Sequence, residues 1–212
     1  DGIDGIEAMF EPFMARYPDR DIQIKRGFED DNLVFIHVYQ SLNNGEAEWV
    51  TMDVFKMDDQ DRVIEHWDII APFTDNQVNP LGPMDGAAEI VDLHKTDENK
   101  ATVRAFASQI LVGRDFRQWD RFVQTTGFVD HDQSGDGSVA AWRHRVEANK
   151  NDKPFHLIGR GNLVLIYSKV TRDGDDWAEF DLFRLEGNKI VEHWQNGELI
   201  GPREQWNNSG KF

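Results

Sequence analysis

The 212-residue chain contains no cysteine, which excludes disulfides, thiolate nucleophiles and cysteine-ligated zinc. It is poor in cations, with 23 Lys and Arg against 39 Asp and Glu and a net charge of -16. Phosphate contacts need clustered cations, so no nucleic-acid partner is expected. The same charge opposes anionic membrane surfaces, and no membrane partner is expected. No apolar run approaches the ~20 residues that span a bilayer. A Gly-x-Ser-x-Gly elbow, a phosphate-binding Gly loop and a His-Glu-x-x-His motif are also missing. What remains, 39% hydrophobic residues with 11% aromatic, is enough for a packed core. The lack of cysteine does not fix a compartment, and the cytoplasm is the expected one.

What the chain does have is a long internal repeat. Val63-Ile64-Glu65-His66-Trp67-Asp68 returns as Ile190-Val191-Glu192-His193-Trp194-Gln195. Asn32–His37 pairs with Asn162–Tyr167, and Trp49–Phe55 with Trp177–Phe183. The offset shrinks only from 130 (Asn32 to Asn162) to 127 (Val63 to Ile190). Solenoid repeats run to roughly 20–50 residues, so this spacing implies two copies of one domain.

Alternating or continuous apolar runs predict strands at 33–40, 49–57 and 63–70, and again at 163–170, 177–185 and 189–194. The turns between them carry Asn43-Asn44-Gly45, Asp58–Asp61, Arg172-Asp173-Gly174 and Glu186-Gly187-Asn188. Helical periodicity predicts helices at 6–16, 99–112, 115–124 and 139–149. Residues 74–96, with Pro80 and Pro83, read as a linker, and 201–212 as a loosely packed polar tail. The expected units are therefore 1–73 and 97–200. The first begins about 40 residues late relative to its twin, because Asp4-Gly5 aligns with Asp136-Gly137. The expectation is a shortened form of the chain, or cover from another chain, since soluble proteins rarely bare a large apolar face.

Asp53-Val54-Phe55-Lys56 followed by Val63–Asp68, and Asp181-Leu182-Phe183-Arg184 followed by Ile190–Trp194, resemble the SnoaL-like family of the nuclear transport factor 2-like superfamily, which includes polyketide cyclases and predicted aldol-condensation enzymes. Leu33–Gln40 and Thr96-Asp97-Glu98-Asn99-Lys100 add to the likeness. The resemblance implies an α+β fold: two cystatin-like cones in tandem, each a curved antiparallel sheet with helices packed on one face. It also implies cofactor-free, metal-free acid/base chemistry on a small hydrophobic carbonyl compound, by aldol cyclisation, isomerisation or dehydration. Such cones often pair through their sheets, so a homodimer or other self-association is expected. In the family, the Asp that closes His-Trp-Asp is the acid/base residue, here Asp68, and the position of Asp53 faces the ligand. Relatives often carry Gln-His-Asn-Pro where this chain has Asp130-His131-Asp132-Gln133, without the Pro.

Side chains alternate along a strand, so His66 shares a face with Asp68, His37 with Phe35 and Tyr39, and Asp53 with Trp49. If these faces line one concave surface, the first pocket holds Asp68, His66 and His37 as its catalytic set. Asp53, Tyr39, Trp49 and Phe35 then contact substrate. Burial would raise a carboxyl there toward neutral pH and make it a general base. His131, Tyr167 and His193 are the corresponding binding residues of the second copy. There Gln195 replaces the acid, so that pocket could bind without turnover. Duplicated residues such as the His66/His193 and Asp53/Asp181 pairs have a structural reading too, and Trp67 and Trp194 read as core. A non-catalytic binder or scaffold, and an interaction module, stay open beside the enzyme.

Overall fold

The computed structural model describes residues 2–74, 78–206 and 210–212. A first helix, α1 (Gly2–Arg16), precedes strands β1 (Arg20–Asp30), β2 (Leu33–Leu42), β3 (Ala47–Met57) and β4 (Val63–Pro72). These form a four-stranded antiparallel meander. Helix α2 (Thr96–Phe106) continues as a π-helical stretch, Ala107–Val112, followed by the short α3 (Trp119–Phe122), β5 (Val129–Asp130) and α4 (Val139–Ala148). Strands β6 (Lys150–Asn151), β7 (His156–Arg160), β8 (Leu163–Arg172), β9 (Asp175–Glu186) and β10 (Lys189–Leu199) complete the chain. The second sheet runs β5-β10-β9-β8-β6, with β7 also paired to β8. The architecture is α+β, with helices and two curved sheets that are antiparallel apart from the short parallel pairing of β5 with β10.

Local chemistry accounts for most of these elements. The hairpin turns adopt left-handed backbone at Asn43 (φ 49°), Asn44 (φ 56°), Asp173 (φ 51°) and Gly174 (φ 93°), conformations that Asn, Asp and Gly tolerate best. Helix α2 buries Val103 and Phe106, its continuation buries Ile110 and Leu111, and Asp97 and Glu98 suit its positive N-terminal end. Ser138 caps α4 by accepting from the Ala141 N–H at 3.1 Å. The expected helix at 115–124 is a 3-10 turn, Phe116–Gln118, plus the four residues of α3.

The layers stack in a fixed order. Helices α2, α3 and α4 cover one face of the second sheet through Phe106, Ile110, Trp119 and Trp142 against Val164, Ile166, Phe183 and Ile190. Its other face presents Leu165, Tyr167, Phe180, Leu182 and Trp194 to Phe28, Phe35, Met52, Val54, Trp67 and Ile69 of the first sheet. The two sheets thus pack back to back, and Asn196 stitches them by donating to the Val50 carbonyl at 3.0 Å. The outer face of the first sheet carries α1 at one end, where Phe13 stacks on Trp49 at 5.9 Å. Elsewhere on that face Ile24 is 64% exposed.

Bulges set which residues face where. In β3–β4 the register slips between Lys56↔Glu65 and Met57↔Val63. In β9–β10 it slips between Arg184↔Glu192 and Leu185↔Ile190. The extra residue falls at Ile64 and at Val191, the same position in both repeats, and resets the alternation, so that Glu and the His after it take the faces they do. Asp53 opposes Asp68, and Asp181 opposes Gln195. The tail is less loose than expected: Phe212 stacks on Tyr167 at 4.9 Å, and the Tyr167 hydroxyl donates to the Lys211 carbonyl at 2.7 Å.

Candidate functional site

On the helix-covered face of the second sheet, β10 supplies His193 and Gln195, and β9 supplies Glu179, Asp181 and Phe183. His193 is fully buried and lies between two carboxylates, Nδ1 at 2.9 Å from Asp130 and Nε2 at 2.9 Å from Asp181. Trp142 stacks on its ring at 4.7 Å. Burial pulls the imidazolium down, but the hydrogen bonds to Asp130 and Asp181 outweigh it and raise His193 to about 9. Burial likewise pushes Asp130 up, while His193 and Arg145 bring it below the ordinary carboxylate range. Asp130 also ion-pairs with Arg145.

The chain of contacts continues through Gln195. Its Nε2 donates to Asp181 Oδ1 and to Glu179 Oε2, each at 2.9 Å, and its Oε1 accepts from Arg172 at 3.3 Å. Glu179 is 2% exposed. Burial, together with the charge of Asp181, raises its carboxyl to about 8, even though Arg172 beside it works the other way. Glu179, Asp181, Gln195 and Arg145 line a hollow of about 20 Å³, walled by Leu111, Trp142, Val146 and Phe183 and edged by Asn149 and Asn151. That is room for about one water-sized group. Two buried carboxyl groups and an amide thus meet beside Trp142 and Phe183, an arrangement able to hand over or accept a proton.

The first sheet repeats part of this geometry on its outer face. His66 Nε2 lies 2.9 Å from Asp53, and Thr51 donates to Asp53 at 2.8 Å. His66 stacks on Phe55 at 4.3 Å, as His193 stacks on Phe183 at 5.2 Å. The surroundings differ: the His66 side chain is 38% exposed and that of His193 is 0%.

The single first pocket expected from the sequence does not form. His37 opposes Met52, whereas Asp53 opposes Ile36 and Asp68. His37 and Phe35 therefore point into the layer between the sheets, and Asp53, His66, Asp68 and Trp49 point the other way. Buried His37 accepts from Arg26 Nη1 through Nδ1 at 3.3 Å. Tyr39 donates to Glu48 and packs edge-on to Phe73 at 5.2 Å. The Asp68 side chain is 38% exposed, 3.6 Å from Lys211.

The expected residues of the second copy also part company. His193 lies on the helix-covered face, Tyr167 between the sheets, and His131 near the sheet edge, 2.8 Å from Glu192 and stacked on Trp194 at 4.8 Å. There the segment 82–87 closes over the cluster: His131 Nδ1 is 3.0 Å from the Gly82 carbonyl, and Arg26 donates to the carbonyls of Asp85 and Ala87.

Glu179, Asp130 and Arg145 were not among the site residues expected from the sequence, whereas Gln195 was expected in the second pocket in place of the acid. One signal was available: alternation along β9 puts Glu179 on the face of Asp181, where the first repeat has Thr51. A larger hollow, about 430 Å³ and lined by Glu29, Asp30, Asp31, Thr96 and Arg160, opens at the surface away from these groups. Glu29, Asp30 and Arg160 are engaged in the Lys100–Asp30 and Arg160–Glu29 pairs, so the smaller buried hollow is the better candidate. Among the described residues, no cluster of three or more His, Asp or Glu could hold a metal ion, and no helix is long and apolar enough to cross a membrane.

No family model and no curated protein matches the chain. Similar solved structures include a provisionally named ketosteroid isomerase from Kribbella flavida, at 10% identity and TM-score 0.44, covering 54% of this chain and 91% of that one. An NTF2-like protein of unknown function from Cytophaga hutchinsonii aligns at 16% identity and TM-score 0.42, over 53% and 95%. A provisionally named polyketide cyclase from Acidithiobacillus ferrooxidans aligns at 17% identity and TM-score 0.39, over 48% and 88%. At these scores no activity is carried across.

Proposed function

We propose that the chain is a tandem pair of SnoaL-like cones, the first without the helical cover of the second, and that the second does acid/base chemistry on a small carbonyl compound. The observation that carries this reading is the buried, hydrogen-bonded series Asp130–His193–Asp181–Gln195–Glu179 ending at an apolar-walled hollow. Glu179 is the proton donor and acceptor. Gln195 bridges it to Asp181, and Trp142 and Phe183 wall the hollow, which at about 20 Å³ must widen to admit a ketone. The role expected of Asp68 passes to Glu179, because a carboxylate more than a third exposed beside Lys211 lacks the low-dielectric surroundings that tune a base.

The test is hydrogen–deuterium exchange at the carbon beside a carbonyl, followed by NMR in D2O with a panel of small ketones. Protein-dependent exchange is expected, falling by about 100-fold or more in Glu179→Gln. No exchange with any ketone, or equal exchange in the variant, overturns the reading. A second reading, a non-catalytic binder or scaffold, draws on the small size of the hollow, about 20 Å³. Ketones that bind without exchange would select it.

A further inference from the structure

We propose that Gln195 is a positioning residue that makes Glu179 and Asp181 work as one proton-sharing pair, and that its exchange for the Asp of the first repeat is what distinguishes the two halves. The inference rests on the proposed role of Glu179 and adds the residue that governs it. Both carboxyls lie 2.9 Å from the same amide nitrogen, so they are less than about 6 Å apart in a site shielded from water. Two buried carboxylates that close resist simultaneous ionisation, and one takes up a proton. The two protons of the Gln195 amide divide between them. Asp181 is also in contact with His193 Nε2 at 2.9 Å, a partner Glu179 lacks. Glu179 is left as the member that exchanges.

The charged groups around the pair come from every neighbouring element. They are Arg172 on β8, His193 on β10, Asp130 on β5, Asp132 in the loop that follows, and Arg145 on α4. Arg145 and His193 face Asp130, Asp132 and Asp181, while Arg172 ion-pairs with Glu179 itself, so its guanidinium works against the proton that burial and Asp181 favour on Glu179. An Asp at position 195, as at Asp68 of the first repeat, would add a further carboxylate and remove the donor. In the first repeat the counterpart of Glu179 is Thr51, which donates to Asp53, so no second carboxyl needs an amide to bridge it.

The experiment follows carboxyl resonances by carbon-13 NMR in Glu-labelled protein, with Glu179→Gln to assign the signal. The wild-type Glu179 signal should titrate near pH 8. In Gln195→Leu, which keeps the bulk and removes the donor, the midpoint should rise by about half a pH unit or more. A merely structural role would lower thermal stability and leave that midpoint in place, which overturns the proposal. Should Gln195→Leu not fold, the wild-type Gln195 amide gives the answer. Both its protons should exchange slowly and shift as Glu179 titrates, and a fast-exchanging, unshifted amide refutes the bridge. A Glu179 signal in the ordinary carboxylate range would instead sink the proposed function, while the amide exchange still reports on Gln195.

Discussion

Replacing Asp130 with Asn isolates the contribution of the charged imidazolium at the centre of the second sheet. His193 titrates at about 9 in the folded chain and near 6.5 when unfolded. A raised folded value means that the stabilisation is complete below pH 6.5 and is lost as pH climbs toward 9. Each pH unit across that window is worth about 1.4 kcal/mol, so about 3 kcal/mol is lost over it. Glu179, raised to about 8, has the same sign over a lower window, and a Glu179→Gln background removes it. In that background Asp130→Asn keeps an oxygen to accept from Nδ1 but deletes one of the two charges that hold the proton. Roughly half of the pH-dependent loss, about 1.5 kcal/mol, should then disappear. Urea midpoints at pH 6.5 and 9, with unchanged slope, give the comparison. If Glu179→Gln alone is flat to within about 0.5 kcal/mol over this range, or if the added Asp130→Asn leaves the loss intact, the imidazolium is not held as argued.

His37 should act in the opposite direction. Burial, Arg26 and His131 hold it well below 6.5, so stability falls as pH drops below 6.5, and His37→Gln should flatten guanidinium midpoints between pH 6.5 and 5. Gly86→Ala should cost about 2–4 kcal/mol and lower Tm by about 4–12 °C. The reason is that Gly86 has φ +83° and an added Cβ would sit 2.1 Å from Glu192 Oε1 and 2.7 Å from His131 Nε2; an unchanged melt contradicts the tight contact of this segment. Met52→Ala, fully buried between the sheets, should cost about 2–5 kcal/mol. Tryptophan fluorescence and circular dichroism should still report one transition, and two would show that the sheets do not share a core.

The strands that alternate cleanly were legible in the sequence, as were their Asn-Gly and Asp-Gly turns, because period-two burial and left-handed turn residues are local properties. Strand β1 was not. Its Arg20–Lys25 half is exposed, and a charged edge strand carries little apolar signal. Strands β5, β6 and β7, of two to five residues, are too short for any periodicity. The site suffered more than the fold. Alternation told which residues share a face within one strand, but not how neighbouring strands align, and that alignment separated His37 from Asp53. Asp130 reaches His193 across 63 positions of sequence, a pairing that no local pattern encodes. The Asp68/Gln195 difference was visible from the outset. Its meaning depended on Glu179, one of 39 acidic residues until the sheet placed it.

The back-to-back sheets carry a consequence for the chain as it emerges during synthesis. The first meander is complete by Pro72, yet Phe35, Met52 and Ile69 find their cover only on strands β8 to β10, about a hundred residues later. At translation speeds of about 5–20 residues per second, that leaves a greasy surface uncovered for several seconds. Holding factors on the ribosome would find their natural target there, and expression of the first half by itself should yield aggregates.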